Sequence, residues 1–200
     1  MEQIRSFIAI ELPEEIKTGL TQLQAQLKSG NQPGVKWVDP NSIHLTLKFL
    51  GNIAIDSIGA INRAIEEAVQ GASPFRLEIK DPGAFPNLKR VQVVWVGVGG
   101  EVDKLARLQQ RLESNLAGLG FAPETRRFTP HLTLARLRPQ ALPEEQRRLG
   151  QLITETKSNV TSTFRVDAIS LMRSQLTREG AIYHRISSVA LNKPLSTTTV

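Results

Sequence analysis

Two of the three histidines in this chain stand at the head of the same four-residue string. HLTL begins at His44 and again at His131, 87 residues later (131 − 44). Side chains alternate between the two faces of a strand, so His44 and Thr46 share one face, as do His131 and Thr133, about 7 Å apart along the strand. The repeat therefore predicts two strands that each present an imidazole and a hydroxyl to a cleft.

This set of side chains suits the opening of a cyclic phosphodiester. An imidazole titrates near neutral pH, so one of two imidazoles facing a cavity can act as general base while the other, protonated, acts as general acid. Threonine hydroxyls donate hydrogen bonds to anionic oxygens without adding charge. The reaction needs a base for water, an acid for the leaving ribose oxygen and donors to the non-bridging oxygens.

Paired histidines have two other uses. Zinc binding is disfavoured because the chain has no cysteine and neither strand shows a third ligand or an HExxH spacing. We therefore expect no metal and no other cofactor. A structural role is the second alternative, since a duplicated fold can inherit duplicated structural histidines. His184, which has no HxT pattern around it, is interpreted as structural.

Composition favours one soluble domain with an anionic partner. The chain has 200 residues, of which 40% are hydrophobic, and its net charge of +6 lies entirely in residues 101–200. Clustered cations favour nucleic acid, and Arg127 and Arg136 flank His131 as candidate contacts to RNA or phosphate. The apolar run at 7–10 is too short for a signal peptide or membrane anchor. We expect a cytoplasmic monomer that does not bind membranes.

Hydrophobic periodicity predicts alternating strands and helices. Strands are predicted at 6–11, 35–38, 44–50, 75–79, 91–98, 131–136, 164–172 and 181–189, and helices at 13–27, 56–70, 101–118 and 143–157. Strict alternation places Lys48 on the face of His44, and Phe49 with the leucines. It places Arg136 on the apolar side of the second strand, which predicts that this strand leaves the sheet near Arg136.

The repetition extends beyond the HLTL string. Ser6 lies 38 residues before His44, and Val93 lies 38 before His131; FRLEI at Phe75 and FRVDAI at Phe164 are 89 residues apart. Two half-domains related by a pseudo-two-fold axis would bring the two HLTL strands together across a central cleft. We expect one bilobal domain at 1–190 and a disordered tail at 191–200.

The motifs and their settings resemble a known superfamily. The stretches RSFIAIELP, VKWVDPNSIHLTLKFLG, RRFTPHLTLAR and SLMRSQLTREGAIYHRI are similar to those of the 2H phosphoesterases, in the branch of RNA 2′,3′-cyclic phosphodiesterases, also called 2′-5′ RNA ligases. The resemblance runs from about residue 5 to about residue 186. It implies an α+β, bilobal, duplicated fold in which two antiparallel sheets face a central cleft and helices lie outside.

The resemblance also implies roles for the motif residues. His44 would donate a proton to the leaving 3′ oxygen and His131 would accept one from water, while Thr46 and Thr133 hold the phosphate. The near symmetry of the motifs leaves this assignment to the resemblance alone. The implied reaction is metal-independent hydrolysis of an RNA 2′,3′-cyclic phosphate end to a 2′-phosphate, with reversible 2′-5′ ligation as a further activity of the family.

Four aromatic residues differ in their predicted roles. Phe7 and Tyr183 are candidates for stacking on a nucleobase, whereas Trp37 and Trp95 lie in apolar runs and are predicted to be core.

Two other functions compete with hydrolysis of an RNA cyclic phosphate. One rival function is hydrolysis of another small cyclic or 2′-5′ nucleotide. The other is RNA binding without turnover, which loss of a motif residue would indicate; all four are present.

The absence of a metal-ligand pattern gives a first prediction. Hydrolysis of a nucleoside 2′,3′-cyclic phosphate is expected to continue in excess EDTA, because two histidines and two threonines supply the proton transfers and phosphate contacts without an ion. Initial rates before and after chelation measure this. Loss of activity that zinc or magnesium restores would contradict it.

Overall fold

The described residues form one mixed structure of strands and helices. A computed structural model describes residues 2–28, 32–156, 163–177 and 180–191. The strands are β1 (Gln3–Glu11), β2 (Val35–Trp37), β3 (His44–Ala54), β4 (Phe75–Phe85), β5 (Val93–Gly100), β6 (His131–Leu137), β7 (Thr163–Val166), β8 (Ala168–Leu176) and β9 (Ala181–Ala190). The helices are α1 (Glu14–Leu27), α2 (Ile58–Val69), α3 (Val102–Ala117) and α4 (Pro143–Glu155). Among the described residues, no helix is long and apolar enough to cross a membrane.

The nine-stranded sheet consists of two halves, one of four strands and one of five. Its order is β7-β4-β5-β6-β3-β1-β8-β9, with β2 paired to β6. We call β3, β1, β8 and β9 the His44 half, and β6, β5, β4 and β7 with β2 the His131 half. The halves meet at one antiparallel bridge, between Leu45 of β3 and Leu132 of β6. The predicted duplicated fold is confirmed, and this bridge joins the two expected sheets into one.

The strand pairing confirms one repeat and corrects another. In each half the HLTL strand pairs with the strand that begins the 38-residue spacing, β1 with β3 and β5 with β6. The strings at Phe75 and Phe164 are not equivalents, however, because β4 and β7 are adjacent strands of the same half. The strand predicted at 164–172 is broken at Asp167, where the chain crosses from the His131 half to the His44 half.

A β-bulge follows the threonine in each HLTL strand. The extra residue is Leu47 in β3 and Leu134 in β6. Because a bulge shifts the alternation of side chains by one residue, Lys48 turns into the core and is 3% exposed, while Phe49 turns out to the cleft face and is 60% exposed. The prediction that Lys48 shares the face of His44 was therefore wrong.

The same shift corrects the prediction for Arg136. Strand β6 continues to Leu137 instead of leaving the sheet, and Arg136 returns to the cleft face, where its side chain is exposed. The bulge is stabilised by two donors to the carbonyl of Leu134, the backbone N–H of Val38 at 2.9 Å and the buried Nε2 of Gln24 at 3.0 Å. Both donors satisfy an oxygen that the bulge leaves partly outside the ladder.

Helices cover the sheet on the side opposite the cleft. The apolar stripe of α1 is buried at helical spacing, as predicted, through Ile16, Leu20, Leu23 and Leu27. Leu191 also belongs to this core: it is 5% exposed, and its N–H donates to the carbonyl of Asp167. The folded part thus includes residue 191, which was predicted to begin the tail; residues 192–200 lie outside the described residues.

A buried ion pair ties β3 to α3. Nζ of Lys48 lies 2.7 Å from Oε2 of Glu113 and donates to the carbonyl of Ala122 at 2.6 Å. The Lys48 side chain is 2% exposed and that of Glu113 14%. Gln109 also donates to Glu113. A charge this deeply buried depends on its partners, because water cannot replace them.

Removing the lysine gives the second prediction. Lys48→Ala is expected to lower the free energy of unfolding by about 3 kcal/mol, since it leaves the largely buried carboxylate of Glu113 without its cation. Lys80→Ala, which breaks the exposed pair with Glu78, is the matched control and should cost less than about 1 kcal/mol. Urea denaturation measures both, and equal losses would contradict the prediction.

Candidate active site

The four motif side chains line one cavity at the junction of the two halves. This cavity has a volume of about 520 Å³. His44, Thr46, His131 and Thr133 all contribute to its wall, together with Arg5, Phe7, Phe49, Arg136 and Tyr183. The convergence follows from the repeat, because each HLTL strand is the innermost strand of its half.

The register of the bridge sets the arrangement of the four side chains. Leu45 is opposite Leu132 in an antiparallel pair, so the next residues in each direction place His44 beside Thr133 and His131 beside Thr46. Each imidazole therefore has the hydroxyl of the other half as its cross-strand neighbour, and an anion between the strands would contact groups from both.

Both imidazole rings are held in the same way. Nδ1 of His44 lies 2.8 Å from the carbonyl oxygen of Ser42, and Nδ1 of His131 lies 2.8 Å from that of Thr129. A carbonyl oxygen only accepts hydrogen bonds, so Nδ1 carries the hydrogen in each ring. The other nitrogen, Nε2, is left to gain or lose a proton, which is the property that acid–base catalysis requires.

Aromatic rings enclose His44. Phe7 stacks on its imidazole with a centroid distance of 4.6 Å, and Tyr183 packs edge-on at 4.9 Å. Phe7 is only 3% exposed, so the predicted stacking of Phe7 on a nucleobase does not fit its burial. Phe49, 6.3 Å from Phe7, is instead the exposed ring on this side of the cavity.

A second aromatic group lies beside His131. Phe85 contacts the imidazole edge-on at 5.0 Å between centroids, and Trp95 lies at 6.4 Å. Trp95 pairs with Thr133 across the β5–β6 ladder and is only partly buried. The prediction that Trp95 is a core residue was therefore wrong, because its strand turns it to the cleft face.

The pKa of His44 depends on its burial and on charged side chains from two other strands, β1 and β6. Burial lowers the pKa of the His44 imidazole below its usual value; the hydrogen bond to Ser42 and the carboxylate of Glu11 oppose this, and the Arg136 cation adds to it. Glu11 lies opposite His44 in the β1–β3 ladder. Since burial dominates, His44 is neutral in the free protein at neutral pH.

Glu11 is itself fixed by two partners. Arg185 donates to its two oxygens at 2.7 and 2.8 Å, and the hydroxyl of Ser170 donates at 2.6 Å. The hydrogen bond from Arg185 is the main reason that the pKa of Glu11 is lowered. The carboxylate therefore remains ionised beside His44 throughout the neutral range.

Sequence reasoning missed several residues of this site. Phe49 and Arg5 line the cavity, and Glu11 faces His44. The sequence did contain a signal for Arg5 and Glu11: every second residue of a strand points to the same face, and both residues lie at that spacing from Phe7 in β1. Of the two arginines predicted to contact RNA or phosphate, Arg136 lines the cavity, whereas Arg127, on the exposed segment before β6, is not among the residues that line it. In the described part of the chain, no three His, Asp or Glu side chains form a group that could hold a metal ion.

His184 and Trp37 also have defined places. His184 is exposed on β9 and is not among the residues that line the cavity. Trp37 is partly buried against the core, as predicted, with Nζ of Lys28 5.4 Å from the centroid of its ring.

Comparison with known proteins identifies the class defined by this fold and site. The profile of the 2'-5' RNA ligase superfamily matches residues 11–178, and the chain belongs to this superfamily. An RNA 2',3'-cyclic phosphodiesterase of Methanothermobacter thermautotrophicus is 34% identical over 90% of this chain and 95% of its own length. The protein of that name from Aeropyrum pernix is 36% identical over 78% of this chain and 85% of its own.

Solved structures give the same result. TT0787 of Thermus thermophilus superposes with a TM-score of 0.77 at 25% identity, covering 96% of this chain and 99% of the other. E. coli LigT in complex with 3'-AMP superposes with a TM-score of 0.76 at 26% identity, covering 95% and 99%. The similarity spans both halves of the sheet.

The burial of His44 gives the third prediction. In the free protein its imidazole is expected to titrate below the usual value, and Glu11→Gln is expected to lower its pKa further by removing a charge that favours the imidazolium. Long-range ¹H–¹⁵N NMR spectra recorded across pH measure both shifts and report whether Nδ1 carries the hydrogen. A pKa for His44 that rises in Glu11→Gln would contradict the prediction.

Proposed function

We propose that the protein hydrolyses the 2′,3′-cyclic phosphate end of RNA to a 2′-phosphate, with His44 and His131 as the acid–base pair. The observation that carries the proposal is the matched pair of imidazoles in one cavity, each holding Nδ1–H on a carbonyl and leaving Nε2 for proton transfer. The names of the relatives from Methanothermobacter thermautotrophicus and Aeropyrum pernix support the substrate. E. coli LigT complexes with 3'-AMP and with phosphate support a nucleotide ligand.

The reaction needs two proton transfers. His131 takes a proton from water as its oxygen attacks phosphorus, the bond from phosphorus to the 3′ oxygen breaks, and His44 gives a proton to that oxygen. The hydroxyls of Thr46 and Thr133 donate to the non-bridging oxygens. The product carries a 2′-phosphate and a free 3′ hydroxyl, and the next turnover begins once the two histidines have exchanged their protons with solvent.

The assignment of acid and base rests on the family resemblance, and the surroundings of the cavity support it. Phe49 offers an exposed aromatic face on the His44 half, and aromatic faces bind nucleobases by stacking. A nucleoside held there keeps its ribose oxygens near His44 and leaves the His131 side open to water. Phe49 lies five residues after His44. The equivalent position on the other half, five residues after His131, holds Arg136 and so offers no aromatic face.

Substrate binding must raise the pKa of His44 for this role. The acid has to be protonated, and burial favours the neutral form in the free protein. The negative charge of a phosphate beside the ring favours the imidazolium. The alkaline limb of kcat/KM, which reports the free enzyme, is therefore expected at lower pH than that of kcat.

RNA is preferred over a free mononucleotide on grounds of charge. Arg5 and Arg136 are exposed at the cavity, and the excess of six positive charges lies in the second half of the sequence. An oligonucleotide that contacts more of these cations loses affinity more steeply with salt than a mononucleotide does. We propose a monomer that acts on RNA in the cytoplasm, and equal salt slopes for the two substrates would favour a small cyclic nucleotide instead.

Replacing the histidines gives the fourth prediction. His44→Ala and His131→Ala are each expected to lower kcat for adenosine 2′,3′-cyclic phosphate by about 10²–10⁴-fold, the usual range for a positioned proton transfer. The double variant should lose less than the product of the two losses, because an acid without its base is already largely idle. Thr46→Val should do less damage than either.

His184→Ala is the matched control, since this histidine is exposed on β9 outside the cavity. Its turnover should equal that of the wild type, and circular dichroism should show all variants folded. The product should be adenosine 2′-phosphate, identified by chromatography against the 3′ isomer. A folded His131→Ala variant with near-normal turnover would refute the paired mechanism.

A further inference from the structure

A flat aromatic surface lies on the cleft face of the His131 half. The indole of Trp95 rests on the sheet where Gly83 leaves room for it: a Cβ at Gly83 would lie 2.4 Å from a ring carbon, whereas one at Gly97 would make an ordinary contact at 3.6 Å. A side chain at Gly83 would displace the ring. One face of the indole is thus turned to the backbone, and the other is turned away from it.

This surface continues into a separate hollow. The hollow has a volume of about 610 Å³ and is lined by Gly83, Ala84, Asn87, Leu88, Lys89 and Trp95. Leu88 is 41% exposed there. The side chain of Asn87 accepts from the backbone N–H groups of Lys89 and Arg90, so the loop that forms this wall is held by its own hydrogen bonds.

The hollow lies on the side of His131 that faces away from His44. The sheet order runs from β3 through β6 and β5 to β4, so Trp95 and Gly83 are successively farther from the His44 half. Phe85 connects the two regions, with centroids 5.0 Å from His131 and 5.1 Å from Trp95. The hollow shares none of its lining residues with the cavity around the motifs.

We propose that this surface binds a nucleoside whose 5′ oxygen takes the place of water at His131. The inference rests on the proposed function, in which His131 removes the proton of the attacking group. Whatever is attached to that oxygen must lie on the His131 side, and the ligand that fits an apolar stacking face beside a lysine is a nucleoside or the 5′ end of an RNA strand.

The chemical step balances without any other reactant. The 5′ hydroxyl oxygen attacks phosphorus and its proton passes to His131, the bond from phosphorus to the 3′ oxygen breaks, and that oxygen takes a proton from His44. The product is a 2′-5′ phosphodiester with a free 3′ hydroxyl. The reverse step cleaves a 2′-5′ linkage to a 2′,3′-cyclic phosphate and a free 5′ hydroxyl, and the same surface binds the departing nucleoside.

The test compares reactions that differ in what occupies the His131 side. Adenosine 2′,3′-cyclic phosphate requires only water there, 2′-5′-linked adenylyl-adenosine places a nucleoside there, and a 3′-5′ dinucleotide ending in a cyclic phosphate adds a nucleotide on the 5′ flank instead. The full chain is assayed as wild type, Trp95→Leu, Trp95→Phe and Leu88→Asp. Leu142→Ala, which is 62% exposed and lines neither region, is the control.

The measured quantity is the ratio of kcat/KM for 2′-5′ cleavage to kcat/KM for hydrolysis. Any disturbance of His131 acts on both reactions, so the ratio isolates the nucleoside site. We expect Trp95→Leu and Leu88→Asp to lower it by about tenfold or more, the scale of one lost base–aromatic stack, Trp95→Phe to restore most of it, and Leu142→Ala to leave it unchanged.

Three outcomes would overturn the inference. The ratio could stay at the wild-type value in both variants, or the variants could impair the dinucleotide cyclic phosphate instead, which would assign the surface to the 5′ flank. The wild type could also hydrolyse cyclic phosphates without cleaving the 2′-5′ linkage, which would leave the proposed function standing. A wild type that hydrolyses no cyclic phosphate would instead reject the proposed function.

Discussion

The backbone pairing of Leu45 with Leu132 is the contact on which the cavity depends. It is the one bridge between the two halves of the described sheet, and it sets which side chains of β3 and β6 are neighbours. A shift of one residue would turn one motif away from the cleft, because side chains alternate faces. Both leucines are fully buried, so the hydrophobic effect that packs them under the helices also fixes the register of the polar residues on the opposite face.

Duplication produced two histidines with the same local support and different surroundings. Each ring is held by a carbonyl two residues earlier in the chain. His44 is partly buried between aromatic rings and faces Glu11 across the ladder, whereas His131 lies beside Phe85 and the flat surface of Trp95. An acid and a base need different environments to work in one displacement, and here the fold supplies the similarity while the neighbouring strands supply the difference.

Much of this arrangement could be predicted from the sequence, and the exceptions have a common cause. The repeated string and the periodicity of the leucines gave the strands, the helices and the four side chains of the cavity. Lys48, Phe49 and Arg136 were misplaced because alternation was assumed to continue through a bulge. A bulge depends on donors from elsewhere in the fold, such as Gln24 of α1, so no local pattern reveals it. Trp95 was misplaced because an apolar strand run does not show which of its faces the helices cover.

The break at Asp167 has a consequence for how the chain is made. Strands on either side of it complete different halves, β7 at the edge of β4 and β8 at the edge of β1. During synthesis both β1 and β4 leave the ribosome well before these partners, and an unpaired strand edge is a template for association with other chains. Neither half can therefore be completed early, and the two are completed nearly together, once the strands on both sides of Asp167 have emerged. Strand β8 therefore covers β1 only late in synthesis, and a message truncated after α4 would encode a sheet whose open edges are β4 and β1 instead of β7 and β9.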